Sequence, residues 1–220
     1  MADASVIGTQ SPIEAVVFDV GGVLIDWNPR YLYRKLFRDD RAMEHFLTEV
    51  CSPDWNEQAD AGRPTAEITA ELCRRHPDMQ PLIESYYTRF SEMMKGSIDG
   101  TVELVDRLHT QGLPLYVLSN FSAETFPLAR QRFGFFDRFA GMVISGVEGM
   151  KKPDRRIYDL LIERFALPPA RTLFVDDRPD NTEAARAAGW QALHFTSAAQ
   201  LAADFRVLGL LGADSRPGGT

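Results

Sequence analysis

An α/β fold, with a doubly wound parallel sheet and an inserted all-helical segment, is what this sequence predicts. Three observations carry the expectation. Five short apolar runs, at residues 15–18, 115–118, 141–144, 172–175 and 192–195, are separated by helical patterns. Such runs suit buried parallel strands in βαβ units. Between the first run and the second lie about 95 residues with no strong strand, where a crossover needs only a dozen or so. Residues able to do chemistry follow four of the runs, directly on three and in the loop beyond the other.

The elements follow in chain order. The first strand is Ala15-Val16-Val17-Phe18. The excess after it, residues 28–98, reads as a helical insertion. Helices are expected over 31–50, where Leu32, Leu36, Phe46, Leu47 and Val50 form an apolar stripe, and over 65–76 and 82–95. The stretch CSPDWNEQADAGRPT, residues 51–65, is rich in turn formers and reads as a loop between two helices. Val102, Val105 and Leu108 start a helix that Gly112-Leu113-Pro114 stops, and Met93-Met94 are expected to pack the cap–core hinge. Ile157, Leu160, Leu161 and Phe165 repeat the helical spacing up to Pro168-Pro169. Residues 183–188 are alanine-rich and close on Gly189, a suitable residue past a helix end. The division expected is a core of residues 1–27 and 99–212, a helical cap of residues 28–98, and a flexible tail, 213–220. Ligands of open parallel sheets bind beyond the carboxyl ends of the strands, so an insertion at that edge covers the ligand crevice.

Composition narrows the class. The 220 residues are 45% hydrophobic, which excludes general disorder. Against 31 Asp and Glu stand 24 Lys and Arg, a formal net charge of −7. A nucleic-acid binder would show a basic face, so no nucleic-acid partner is expected, and cations that meet an anionic ligand must be local to the site. No apolar stretch approaches the ~20 residues of a bilayer span, and the N-terminal MADASVIGTQSPIE has neither the basic nor the apolar part of a secretory leader. Cys51 and Cys73 are two cysteines without a disulfide framework, expected to be reduced thiols in a cytoplasmic protein. The four histidines have no metal-ligand spacing, and monomer and homodimer both remain open.

Asp19 follows the first strand, Ser119-Asn120 the second, Lys152 lies in the loop after the third, and Asp176-Asp177 follow the fourth. Each has an ordinary reading: a turn carboxylate, helix caps, a surface lysine. Gly21 and Gly22 permit a tight turn and close approach of backbone to ligand. Two adjacent acids after a buried strand repel each other unless a cation sits between them or one turns away. A doubly wound sheet brings all four features to one edge. A carboxylate nucleophile, a hydroxyl and amide donor, a lysine and an acidic pair fit for Mg²⁺ are the parts that phosphoryl transfer needs.

Four motifs, in order, carry a resemblance. They are VVFDVGGVLID (residues 16–26), VLSN (117–120), GMKKPDRRIY (149–158) and FVDDRPDNTEAARAAG (174–189). Together they span nearly the whole chain, which resembles the haloacid dehalogenase superfamily of hydrolases, the subfamily with a helical cap inserted after the first motif of a Rossmann-like core. The resemblance implies Asp19 as nucleophile and Mg²⁺ ligand, Ser119 and the Asn120 backbone N–H on the phosphate, and Lys152 rather than Lys151 as the third-motif lysine. It implies Asp177, and with it the preceding acid Asp176, as metal ligands, Asn181 where many relatives keep another acid, and the Gly21 carbonyl as a further ligand. Gly22 and Trp55 are expected at the substrate, Trp55 stacking on it or packing between cap helices.

The first motif departs from Asp-x-Asp, whose second acid is the family's general acid; Gly21 stands there. Sugar-phosphate phosphatases of the α-glucose-1-phosphate type share that glycine, so a phosphatase acting on a small phosphorylated metabolite is expected. Two alternatives remain. L-2-haloacid dehalogenases also lack the second acid and work without metal, although Asp176-Asp177 does not match their fourth motif. A weakly active binding module is the other. Asp26, Glu57 and Asp60 are candidates to replace the missing acid, and Arg63 and Arg178 to meet a second anionic group.

Overall fold

The computed structural model describes residues 12–212; the expectations for the stretch before residue 12 and for the tail 213–220 lie outside them. A Rossmann-like sheet of five parallel strands forms the core. Its strands are β1 (Ala15–Phe18), β4 (Leu115–Ser119), β5 (Gly141–Ile144), β6 (Thr172–Asp176) and β7 (Gln191–His194), in the order β5-β4-β1-β6-β7. The chain runs outward on one side of β1, then returns to the other side. The strand order therefore reverses at β1, the switch point where such sheets open a crevice.

Alternation along β1 builds two apolar layers. Val16 and Phe18 face one layer, with Leu104, Val105 and Leu108 of helix α6 (Asp99–Thr110) and Leu201 and Phe205 of helix α11 (Ala198–Val207). Ala15 and Val17 face the other, with Ile157, Tyr158 and Leu161 of α9 (Arg155–Phe165) and Ala185 of α10 (Pro179–Ala187). The strand residues of β1 are at most 1% exposed, which is why the runs are apolar without interruption. Gly189 adopts φ +89°, as a residue closing α10 should.

The long interval contains α1 (Arg30–Tyr33), α2 (Asp40–His45), a π-helical turn (Phe46–Val50), α3 (Pro53–Asp60), α4 (Thr65–Arg75) and α5 (Gln80–Thr88). Two expectations are corrected. The helix over 31–50 is broken, because Asp39 is extended and its carboxylate caps a fresh start, accepting from the Ala42 N–H at 2.9 Å. The stretch 51–65 is not a loop throughout. Ser52 Oγ accepts the Trp55 N–H at 3.2 Å and Pro53 opens α3, a serine cap with proline in the first turn. The helix expected over 82–95 ends at Thr88. Beyond a 3₁₀ turn, β3 (Met94–Ser97) pairs antiparallel with β2 (Ile25–Trp27). These two strands join the helical layer to the sheet. Met93 and Met94 are buried there.

Both cysteines are free thiols, and among the described residues no helix is long and apolar enough to cross a membrane.

Candidate active site

Asp19 directly follows β1, and its N–H continues the ladder to the Val175 carbonyl at 2.9 Å. Three donors meet its Oδ1: the Val20 N–H at 2.7 Å, Ser119 Oγ at 2.8 Å and Lys152 Nζ at 3.0 Å. Among the described residues no hydrogen bond ends on Oδ2. The chain then turns tightly, with the Leu24 and Ile25 N–H groups both donating to the Val20 carbonyl. Gly22 sits at φ +74°, and a Cβ there would lie 2.3 Å from Asp177 Oδ2. This glycine is required twice, by conformation and by contact. Gly21 is different: a Cβ built on it meets nothing within 4 Å.

Lys152 is fully buried and reaches both Asp19 and Asp176, the latter at 2.6 Å. Its Nζ also lies 5.2 Å from the centre of the Phe174 ring. Asn120 places it. The Asn120 side chain accepts the Lys152 N–H at 2.8 Å and donates to the Lys152 carbonyl at 2.9 Å. This reciprocal clasp fastens the loop after β5 to the end of β4. Lys151 faces the other way, its Nζ 2.5 Å from Glu57 of α3.

Asp176 spends both oxygens on protein. Oδ1 accepts from the Arg178 N–H and Asn181 Nδ2, Oδ2 from Lys152 and again Asn181 Nδ2. Asp177 turns outward, is exposed at the crevice mouth, and is backed by a 3.0 Å contact between its carbonyl and His194 Nε2. One carboxylate oxygen from each of Asp19, Asp176 and Asp177 can be chosen so that all lie within 4.8 Å of one another.

Charge follows from this geometry. Burial pushes the Asp19 carboxyl up to about 7; Lys152 opposes the rise, and Asp176 and Asp177 add to it. Desolvation and Asp176 also raise Asp177. Burial works against the Lys152 ammonium, but Asp19 and Asp176 outweigh it and hold the group above its ordinary range. Three carboxylates face one ammonium, so the cluster is short of positive charge. The buried Asn181 Oδ1 has no partner among the described residues. Hard oxygen donors in this number suit Mg²⁺.

A cavity of about 400 Å³ opens over Asp19, Gly22, Asn120 and Asp177. Trp27 and Asp60 also line it. A smaller niche of about 70 Å³ lies between Gly21, Asn120, Asp60 and the rings of Trp27, Phe90 and Phe121. Trp55 lines neither. It is 4% exposed, its indole N–H donates to the Ile68 carbonyl at 3.2 Å, and it packs on Tyr86 and Tyr87. The expectation that Trp55 meets substrate is thus corrected: it holds α3, α4 and α5 together, and Trp27 takes the place at the crevice. Arg63 is likewise turned away, bound to Gln58, Glu67 and Glu71, whereas Arg178 lines the cavity and pairs with Asp180 and Glu57. Sequence reasoning missed Trp27 and Asn56; Trp27 follows the first motif and carried no spacing signal.

Known proteins resemble this chain. Over 204 residues the chain is 28% identical to the sesquiterpene phosphatase astK of Aspergillus oryzae, covering 89% of this chain and 96% of that one. It is 26% identical to the N-acetylmuramic acid 6-phosphate phosphatase of Pseudomonas aeruginosa, over 80% of this chain and 79% of that one. A HAD family enzyme from Bacteroides thetaiotaomicron, solved in complex with magnesium and inorganic phosphate, superposes with a TM-score of 0.66 at 20% identity, covering 84% of this chain and 95% of that one. The family model for haloacid dehalogenase-like hydrolases matches residues 13–189. With that match running from the strand that carries Asp19 to the glycine that closes α10, the chain belongs to the haloacid dehalogenase-like hydrolases.

Proposed function

We propose that this enzyme is a Mg²⁺-dependent phosphatase that hydrolyses a small organic phosphate through an aspartyl-phosphate on Asp19. The observation that carries the reading is the set of three carboxylates around one buried lysine. A metal-free dehalogenase has no use for it, because unneutralised like charges weaken a nucleophilic carboxylate. Asp19, Asp177 and the Gly21 carbonyl would hold Mg²⁺, which supplies charge neutralisation for the phosphoryl oxygens. The phosphatases among the relatives, and the neighbour holding magnesium and phosphate, lend support.

The residues divide the work. Asp19 attacks phosphorus through one carboxylate oxygen, and the bond to the leaving oxygen breaks. Ser119 Oγ, the Asn120 backbone N–H and Lys152 take the non-bridging oxygens, where charge gathers in the transition state. Asp176 fixes Lys152 and adds charge to the cluster; its own oxygens are already occupied. Residues 28–98 act as a cap over the reaction, with Trp27 and Phe90 closing its side. The substrate is a phosphorylated metabolite small enough for a cavity of about 400 Å³.

The test is phosphate release from p-nitrophenyl phosphate and a panel of sugar and prenyl phosphates, with Mg²⁺ and with EDTA. Release should fall to background with EDTA and in Asp19→Asn. Chloride release from L-2-chloropropionate that ignores EDTA would instead establish a dehalogenase.

A further inference from the structure

The reading above leaves one proton without a source. When the leaving oxygen departs it needs a proton, and Gly21 offers none. Its backbone does not force that absence, since the space above it is open. Gly21 lines the small niche, and Asp60, at the end of α3, lines it too. Asp60 is the acid common to this niche and to the larger cavity over Asp19.

We propose that Asp60, reaching in from the helical layer, is the proton donor that replaces the missing acid at position 21. The inference rests on the phosphatase reading. As Asp19 bonds to phosphorus, the leaving oxygen takes the proton from the Asp60 carboxyl. In the second half-reaction the Asp60 carboxylate takes a proton from the water that attacks the aspartyl-phosphate. Phosphate and free Asp19 result, and Asp60 is protonated again.

The surroundings fit a donor. Asp60 is half-buried, and a chain of bonds aims it: Tyr87 OH donates to Asn56 Oδ1 at 3.2 Å, and Asn56 Nδ2 donates to Asp60 Oδ2 at 3.1 Å. The buried neighbours Trp55 and Ala59 fix α3 itself. Burial and the nearby Glu57 push the Asp60 carboxyl up to about 7, against Lys151 and the Ser122 N–H, so a large share of it still carries its proton at neutral pH. The Tyr86 and Tyr87 hydroxyls also face it. The other candidates are engaged elsewhere. Glu57 is ion-paired with Lys151 and Arg178. Both oxygens of Asp26 accept from Tyr31 OH, and Asp26 lines neither space.

The experiment compares kcat/KM, which reports the first half-reaction, for p-nitrophenyl phosphate and phenyl phosphate with saturating Mg²⁺. Nitrophenolate leaves without help; phenolate, a stronger base, does not. Asp60→Asn should change the first by less than about 3-fold and lower the second by about 10²-fold or more. With phenyl phosphate, the wild-type fall in kcat/KM above about pH 7 should vanish in Asp60→Asn. Asp60→Glu should keep part of the phenyl phosphate activity, and Gly21→Asp in the Asp60→Asn background should restore part of it. Equal losses on both substrates, or no loss on phenyl phosphate, overturn the proposal. A melting temperature no lower than that of wild type excludes misfolding as the cause. Failure of the wild type on every aryl, sugar and prenyl phosphate overturns the phosphatase reading, and this proposal with it.

Discussion

Gly22 is the residue where conformation and chemistry press on one atom. Its φ of +74° would cost an L side chain about 1–2 kcal/mol, and its missing Cβ leaves room for Asp177 Oδ2. Gly22→Ala must therefore strain the turn and push Asp177 off its position. The expected outcome is a Mg²⁺ concentration for half-maximal activity raised about 10-fold or more, with activity partly recovered at high Mg²⁺; a metal titration checks it. Asp19, Ser119 and Asp177 were legible because each is among the first polar residues beyond a buried apolar run, and Lys152 because it stands directly before Pro153 in the third motif; chain order places the ends of these runs on the crevice edge. Trp55 and Trp27 were not separable in this way. Which tryptophan faces the crevice depends on how α3, α4 and α5 pack, and that is settled by contacts far apart in sequence.

Helix α3 carries an electrostatic cost. The ordinary value of the Asp60 carboxyl is 3.8, and in the fold it is pushed up to about 7. The folded state therefore favours the protonated form. The stability this gives is complete below about pH 4 and is lost as pH rises through about 7. Asp60→Asn removes the charge, so at pH 8 it should stabilise the fold by about 1–3 kcal/mol after allowance for solvent screening. At pH 4 it should give no gain. Thermal denaturation at the two pH values checks both. The five core strands were readable from continuous apolar runs. β2 and β3 were not, because three- and four-residue strands without alternation leave no period to detect. The α3 start was present in the chain as Ser52-Pro53, but the surrounding turn formers concealed it.

Side-chain contacts outside β2 and β3 also fasten the helical layer to the sheet, among them Arg178 with Glu57. Lys151 meets Glu57, and Glu124, from the segment after β4, accepts the Thr65 N–H at 2.9 Å and the Thr65 hydroxyl. The Glu124 contact caps α4 with a carboxylate from the other layer, where the helix dipole favours negative charge. Glu124→Gln should therefore loosen the two layers without touching the cluster around Lys152. Hydrogen exchange at Thr65 should quicken by about 10-fold, as expected for weakening a charge-assisted bond, while the amides of β1 and β6 keep their protection. At this scale the doubly wound core with a helical insertion was legible from strand spacing alone. The fastenings were not, since each joins residues 59 or more positions apart.

Lys151 and Lys152 are neighbours along the backbone with opposite allegiances. One ammonium grips the roof of the crevice, the other the acid at its floor. One peptide bond joins the two contacts covalently. Where substrate uptake at the floor changes the free energy of the Lys151–Glu57 contact, making that contact changes substrate affinity by the same factor.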